Sequence, residues 1–475
     1  MAKPLRNLLI TVLIIAVLGG GAWYLLKSPP LDAQTETTDI YLVQKQAADV
    51  AQVQVSNQNG DYTVIQQNGS CTVHDIPADV VNTDYVDMLL DECSNVYYQS
   101  VVNENPDDLS LYGLQQPTAE VYISYTDGTV LQLLFGAEEP LSGGRYFKTA
   151  DSDAVLLMKN SRTIRFTMPV EKYINYIIIE PNQSTSILSA VQDIAFSGTQ
   201  LPEPIVLKAV LEDREEIKRE ASSFGAVTHL ITSPVVHEAD QTELITITES
   251  LLGLISEGVV DYNCTEEELA AYGFAKPALQ VEFDYQNGKD AKVKHFNLKL
   301  AVLDGGYIAT LEGQGIVYKI ADVAFTQVSY ENLISRWFLS PFITDVKTLE
   351  ISFDGETYAF DMESETSKEL VVTQSGKELD SELFRKYYNL IVTAAAEGDA
   401  LTDVRLPAIP EMTVRFIYKD TTKTDDVMDI YAGDVRRAYV EVNGTCEFSI
   451  REKYVSCIKT ATVNVVNGQI FSLEW

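Results

Sequence analysis

Hydrophobic and polar positions alternate along most of this chain, and the exception comes first. Residues 8–26 read LLITVLIIAVLGGGAWYLL, without a charge and with Thr11 as the one clearly polar side chain. A helix of that length spans about 28 Å, close to the hydrocarbon thickness of a bilayer. Lys3 and Arg6 precede the run, Trp23, Tyr24 and Lys27 mark its far end, and Ser28-Pro29-Pro30 stop it. Flanking cations keep an N-terminus cytoplasmic, and aromatic rings settle at the interface. The pattern predicts a single-pass transmembrane anchor with the remaining chain extracytoplasmic. A cleaved signal peptide is the rival, because Gly20-Gly21-Ala22 offers small residues after the apolar stretch 8–18. The apolar run continues past Ala22, which favours the anchor.

Beyond the run, period-two alternation predicts strands and period 3.6 predicts helices. Residues 50–55 and 62–65 alternate around Asn59-Gly60, and 348–353 and 357–360 alternate around Asp354-Gly355. Such dipeptides between alternating runs signal hairpins. Amphipathic helices are predicted at about 83–98, 241–256 and 380–395. In the first, Val86, Leu89, Leu90 and Cys93 share a face; in the third, Leu383, Tyr387, Leu390 and Ile391 do.

These elements recur in one order. VVNENPDDLSLYGLQQPTAEVYISYTDGT from Val101 parallels VVDYNCTEEELAAYGFAKPALQVEFDYQNGK from Val259. Tyr112, Gly113 and Pro117 match Tyr272, Gly273 and Pro277. Glycine at such a position ends a short helix in a left-handed conformation, and the proline then starts an extended strand. The third copy, LTDVRLPAIPEMTVRFIY from Leu401, keeps the proline before its strand and lacks the Tyr-Gly pair. One supersecondary unit used three times predicts an α+β fold: an N-terminal transmembrane helix, then tandem repeats of antiparallel β-sheet with a packed helix. The expected divisions are a cytoplasmic stub and anchor at 1–27, a linker at 28–39, and modules at 40–181, 182–345 and 346–475, the last degenerate.

Composition adds limits. The 475 residues are 46% hydrophobic, enough for several domains with real cores. The net charge is −34, and setting aside the three cations of the first 27 residues leaves −37. That surface repels nucleic acid and anionic headgroups, so no nucleic-acid partner is expected. Five cysteines are too few and too scattered for a disulfide scaffold. Cys71–Cys93 and Cys446–Cys457 pairs or simple buried thiols both fit. The four histidines, His74, His229, His237 and His295, lack the spacing of a helical metal pair. There is no Gly-x-Ser-x-Gly elbow and no phosphate loop. Acidic clusters at Glu212-Asp213, Glu215-Glu216 and Glu266-Glu267-Glu268 read as solvated faces. No catalytic residue, cofactor site or metal site is assigned.

The anchor, the Tyr-Gly-Leu-x-x-Pro element at 112–117, the Asp-Gly hairpins and the strand starting Gly143-Gly144-Arg145-Tyr146 together resemble the bacterial domain-of-unknown-function 4340 family. The resemblance covers roughly residues 40 to 340, with Phe274 replacing the leucine in copy two. It implies an envelope protein, in many bacteria associated with a gliding-type or uncharacterised export ABC transporter, and carries over no functional residues. The expectation is a non-enzymatic, membrane-anchored accessory or binding protein with an envelope or transporter partner. An envelope hydrolase using dispersed carboxylates, or a spacer between membrane and wall, are the alternatives.

Overall fold

A computed structural model of the chain describes residues 39–475, apart from 142, 184–185, 289–290 and 402–403. The expected anchor at 8–26 lies outside the described residues. Among the described residues, no helix is long and apolar enough to cross a membrane. The architecture is α+β, built on antiparallel sheets. There are two compact units, one ending at Asn175 and one comprising Tyr176–Trp475. The first contains one eight-stranded sheet besides a short two-stranded ribbon of Ile40–Tyr41 with Tyr97–Tyr98, and the second contains a nine-stranded and an eight-stranded sheet, the three large sheets sharing one plan.

Each of these sheets joins two meanders that run outward in opposite directions. In the first, Val50–Asn57, Gly60–Gln67 and Ser70–Val73 form one meander. Ala119–Tyr125, Val130–Glu138, Gly144–Thr149 and Val155–Lys159 form the other, and the two meet where Val50–Asn57 pairs with Ala119–Tyr125. The second sheet meets at Val191–Ser197 against Leu279–Tyr285, and the third at Val346–Phe353 against Met412–Tyr418. Strict alternation supports this. Val121, Ile123 and Tyr125 are buried on one face while Tyr122 is exposed on the other. At the third hairpin, Asp354 (φ 51) and Gly355 (φ 82) both take left-handed backbone, the two-residue turn whose twist suits paired strands.

A helix crosses between the meanders in every sheet: Thr83–Ser94, Gln241–Leu251 and Ser381–Val392. Asn82, Asp240 and Asp380 cap them, each accepting from first-turn backbone N–H groups. All three end a few residues before the periodicity suggested. Helical hydrogen bonding competes there with strand pairing: Leu42 donates to Val96 O at 2.8 Å, and Ile178 donates to Leu254 O at 2.8 Å. The apolar face of the first helix buries Val86, Leu89, Leu90 and Cys93. In the third module Phe360, Phe384 and Tyr387 pack ring to ring, and the Tyr387 hydroxyl meets Thr462 Oγ1 at 2.5 Å on the helix Glu452–Val466.

Two further strands follow the crossover helices, and alternation did not reveal them. Ser100–Asn103 and Gly258–Asp261 each close the far edge of their sheet, against Val155–Lys159 and Val317–Ile320. At that edge of the third sheet, residue 397 makes only a single bridge to Ser449.

Candidate functional site

The repeated Tyr-Gly element is a clamp between a helical turn and two strands. In the first unit a 3₁₀ turn, Leu109–Tyr112, ends at Gly113 with φ 68. In the second copy the helix Glu266–Ala271 is closed by a Thr265–Glu268 capping box and ends at Gly273 with φ 100. The tyrosine hydroxyls reach the equivalent residue of the edge strand. Asn103 Nδ2 donates to Tyr112 Oη at 3.3 Å, and Tyr272 Oη donates to Asp261 Oδ2 at 2.9 Å. Pro117 and Pro277 then lead directly into Ala119–Tyr125 and Leu279–Tyr285.

The turn also lies on the neighbouring strand. A Cβ at Gly136 would fall on the Tyr112 carbonyl oxygen, and one at Gly113 would stand 2.7 Å from Ala137 N. Register places Ala301 at the position of Gly136 in copy two, where a Cβ on Gly273 meets Ala301 Cβ at 3.4 Å. The same position in copy three is Tyr431. The third module has thus lost the Tyr-Gly turn and the small residue beneath it together. These six motif residues sit at packed turns, and none of them lines the cavities described below.

In the second unit the structure assembles a buried polar cluster that sequence spacing did not reveal. Lys423 Nζ donates to Ser222 Oγ at 2.6 Å and Ser223 Oγ at 2.7 Å, lies 3.5 Å from Asp426 Oδ2, and sits 3.8 Å above the Tyr418 ring. Asp426 also accepts from the Tyr418 hydroxyl and from Asn443 Nδ2 at 2.9 Å. The side chains of Lys423 and Asp426 are 7% and 8% exposed. Burial lowers the Lys423 pKa while Asp426 pulls it back up, and burial pushes the Tyr418 phenol well above its ordinary value. An ammonium that donates to two hydroxyls cannot accept their protons, and Ser222 gives its own to Arg219 O at 2.6 Å. The cluster is a clamp between the helix Glu215–Ala221 with its following turn and the loop before Asp426–Ala432.

Beside it a cavity of about 280 Å³ is lined by Asp426, Asn443, Glu447, Glu220, Phe224 and His237. Burial raises the Glu447 pKa, while Tyr330 Oη donates to its carboxylate at 3.1 Å. Burial pushes His237 down to about 4, and its ring packs on Phe224 at 4.9 Å. His229 Nε2 contacts Val191 O at 2.8 Å inside the core. His74 and His295 pair with Asp75 and Asp284 at the surface. All five cysteines are free thiols, so neither disulfide forms, and no group of metal-ligating side chains occurs among the described residues. The one Ser-x-x-Lys spacing, Ser456 to Lys459, sits on the last helix. Ser456 there bonds Lys453 O, and Lys459 pairs with Asp354 at 2.9 Å.

In the first unit the Glu92 carboxyl is buried and strongly perturbed. Glu92 is 6% exposed, and its Oε1 accepts from Arg165 Nη1 at 2.6 Å while Oε2 has no partner. Burial raises its pKa from 4.5 to about 7 against the pull of Arg165 and Arg162. The folded state therefore holds a proton that the unfolded chain releases between those values. The associated stability is fully present below pH 4.5 and is lost as pH rises through about 7. Urea unfolding of the first unit followed by circular dichroism is expected to show this decline, and Glu92→Gln to flatten it. An equal decline in the variant would refute the assignment.

Residues 74–198 match the family model described as Domain of unknown function (DUF4340). That stretch contains the Tyr112 clamp, Gly136 and Glu92, whereas the Lys423 cluster lies beyond it. No curated protein and no solved structure matches the chain.

Proposed function

The chain belongs, through residues 74–198, to the DUF4340 family, and on that premise we propose that it is a membrane-anchored, extracytoplasmic, non-enzymatic accessory or binding protein beside an ABC-type transporter or another envelope complex. The uncharged run at 8–26, with its flanking cations and interfacial aromatics, carries the reading. It tethers successive sheet modules at the membrane, where an accessory subunit stands. The modules offer edges and loops suited to docking, and the best-formed polar cluster spends its groups on one another. Purification from membranes in mild detergent tests the proposal. A permease or other envelope protein is expected to co-elute, and recovery of the chain alone would count against it. Mass measurement of the mature chain is expected to show residues 1–27 retained.

One observation favours an envelope hydrolase instead. The 280 Å³ cavity has both Glu447 and Asp426 in its lining, two carboxylates in different surroundings. Wall-polymer hydrolysis abolished by Glu447→Gln, with folding intact, would establish that reading over the first.

A further inference from the structure

We infer that a concavity at the start of the C-terminal helix binds a compact oxyanion, a phosphate or sulfate group. About 600 Å³ in volume, it is lined by Arg436, Arg437, Arg451 and Lys453 against Glu397 and Glu452. Four cations converge here in a chain with 69 acidic and 35 basic residues. Their arrangement leaves charge unspent. Arg451 pairs with Glu397 at 2.8 Å, which is the one ion pair in the concavity among the described residues. Arg437 Nη1 donates to two neutral acceptors, Glu397 O at 2.8 Å and Ser449 Oγ at 3.0 Å, so its guanidinium is oriented without being neutralised. Arg436 and Lys453 also line the concavity, and among the described residues neither joins an ion pair. The loop is fixed in place: Glu452 N donates to Arg436 O at 3.0 Å, Gly433 N donates to Arg437 O at 3.1 Å, and Arg436 takes left-handed backbone at φ 64. A bulky cation held in that conformation is costly unless its surroundings enforce it.

Guanidinium forks and an ammonium match the oxygens of a tetrahedral oxyanion. The rest of the surface, with its large negative excess, repels an extended polyanion, so the occupant's charge must be confined to one group. Val435, 89% exposed at the rim, offers an apolar contact to whatever carries that group. The inference does not depend on the membrane anchor or on the proposed partner.

Calorimetric titration of the full chain in mild detergent, at low ionic strength and with inorganic phosphate and pyrophosphate as probes, is the test. One saturable site is expected. Arg436→Gln and Lys453→Gln each weaken it about tenfold, the worth of a charged hydrogen bond. Lys218→Gln, in the separate concavity beside Arg219 and Lys419, leaves it unchanged. All three side chains reach solvent, and circular dichroism confirms their folding. Absence of saturable binding, or equal weakening by Lys218→Gln, overturns the inference. Vesicles of phosphatidylglycerol identify the source. Competition with phosphate points to a lipid headgroup, and its absence to a soluble phosphate compound, the site standing in either case.

Discussion

Replacing Lys423 with Met lowers the unfolding free energy of the second unit by about 3–5 kcal/mol, because it leaves Asp426 buried without its counter-charge. The remaining Tyr418 and Asn443 hydrogen bonds do not replace a charge at 8% exposure. The double variant Lys423→Met/Asp426→Asn removes both charges and keeps an acceptor for the Tyr418 hydroxyl. It costs much less than the single lysine change, and the difference measures the coupling of the pair. Urea unfolding followed by tryptophan fluorescence reads this, since Trp337 and Trp475 both lie in the second unit. A single-variant cost under about 1 kcal/mol, the worth of an exposed pair, would show that the cluster is not a clamp.

Gly136→Ala is the second large effect. Its Cβ meets the Tyr112 carbonyl oxygen, a backbone atom that moves only if the whole turn shifts. The expected loss is about 3 kcal/mol from the first unit, at the upper end of overpacking costs. Gly273→Ala supplies the contrast. Its neighbour is the Ala301 methyl at 3.4 Å, so the cost is mainly left-handed backbone, about 1–2 kcal/mol. Circular-dichroism melts or hydrogen exchange in each module check the ordering, and equal losses would show that close approach is not what holds the turn. The same reasoning accounts for copy three. Tyr431 occupies the position of Gly136 and Ala301, so a Tyr-Gly turn could not seat there.

Local chemistry was legible wherever neighbouring residues decide the outcome. The Asp354-Gly355 turn, the stops at Gly113 and Gly273, and the three crossover helices need only near neighbours in the chain. The edge strands were illegible because four-residue stretches such as Ser100–Asn103 become strands only by pairing with Val155–Lys159, more than fifty residues away. The lead-in hairpin of copy two was also hidden. Its strands Val191–Ser197 and Ile205–Ala209 are joined without an Asn-Gly or Asp-Gly signal.

The sequence by itself determined the repeat, the alternating strands and their turns, the amphipathic helices and the acidic charge, since each is a matter of spacing or composition along the chain. Only the tertiary structure decided which atoms meet. Lys423 finds Ser222 and Ser223 two hundred residues before it, and Arg437 and Arg451 converge on Glu397 from another element. It also kept Cys71 and Cys93 apart as thiols. Contacts between distant segments depend on how sheets and helices stack. That stacking comes from burial summed over the whole fold, and no local window of sequence contains it.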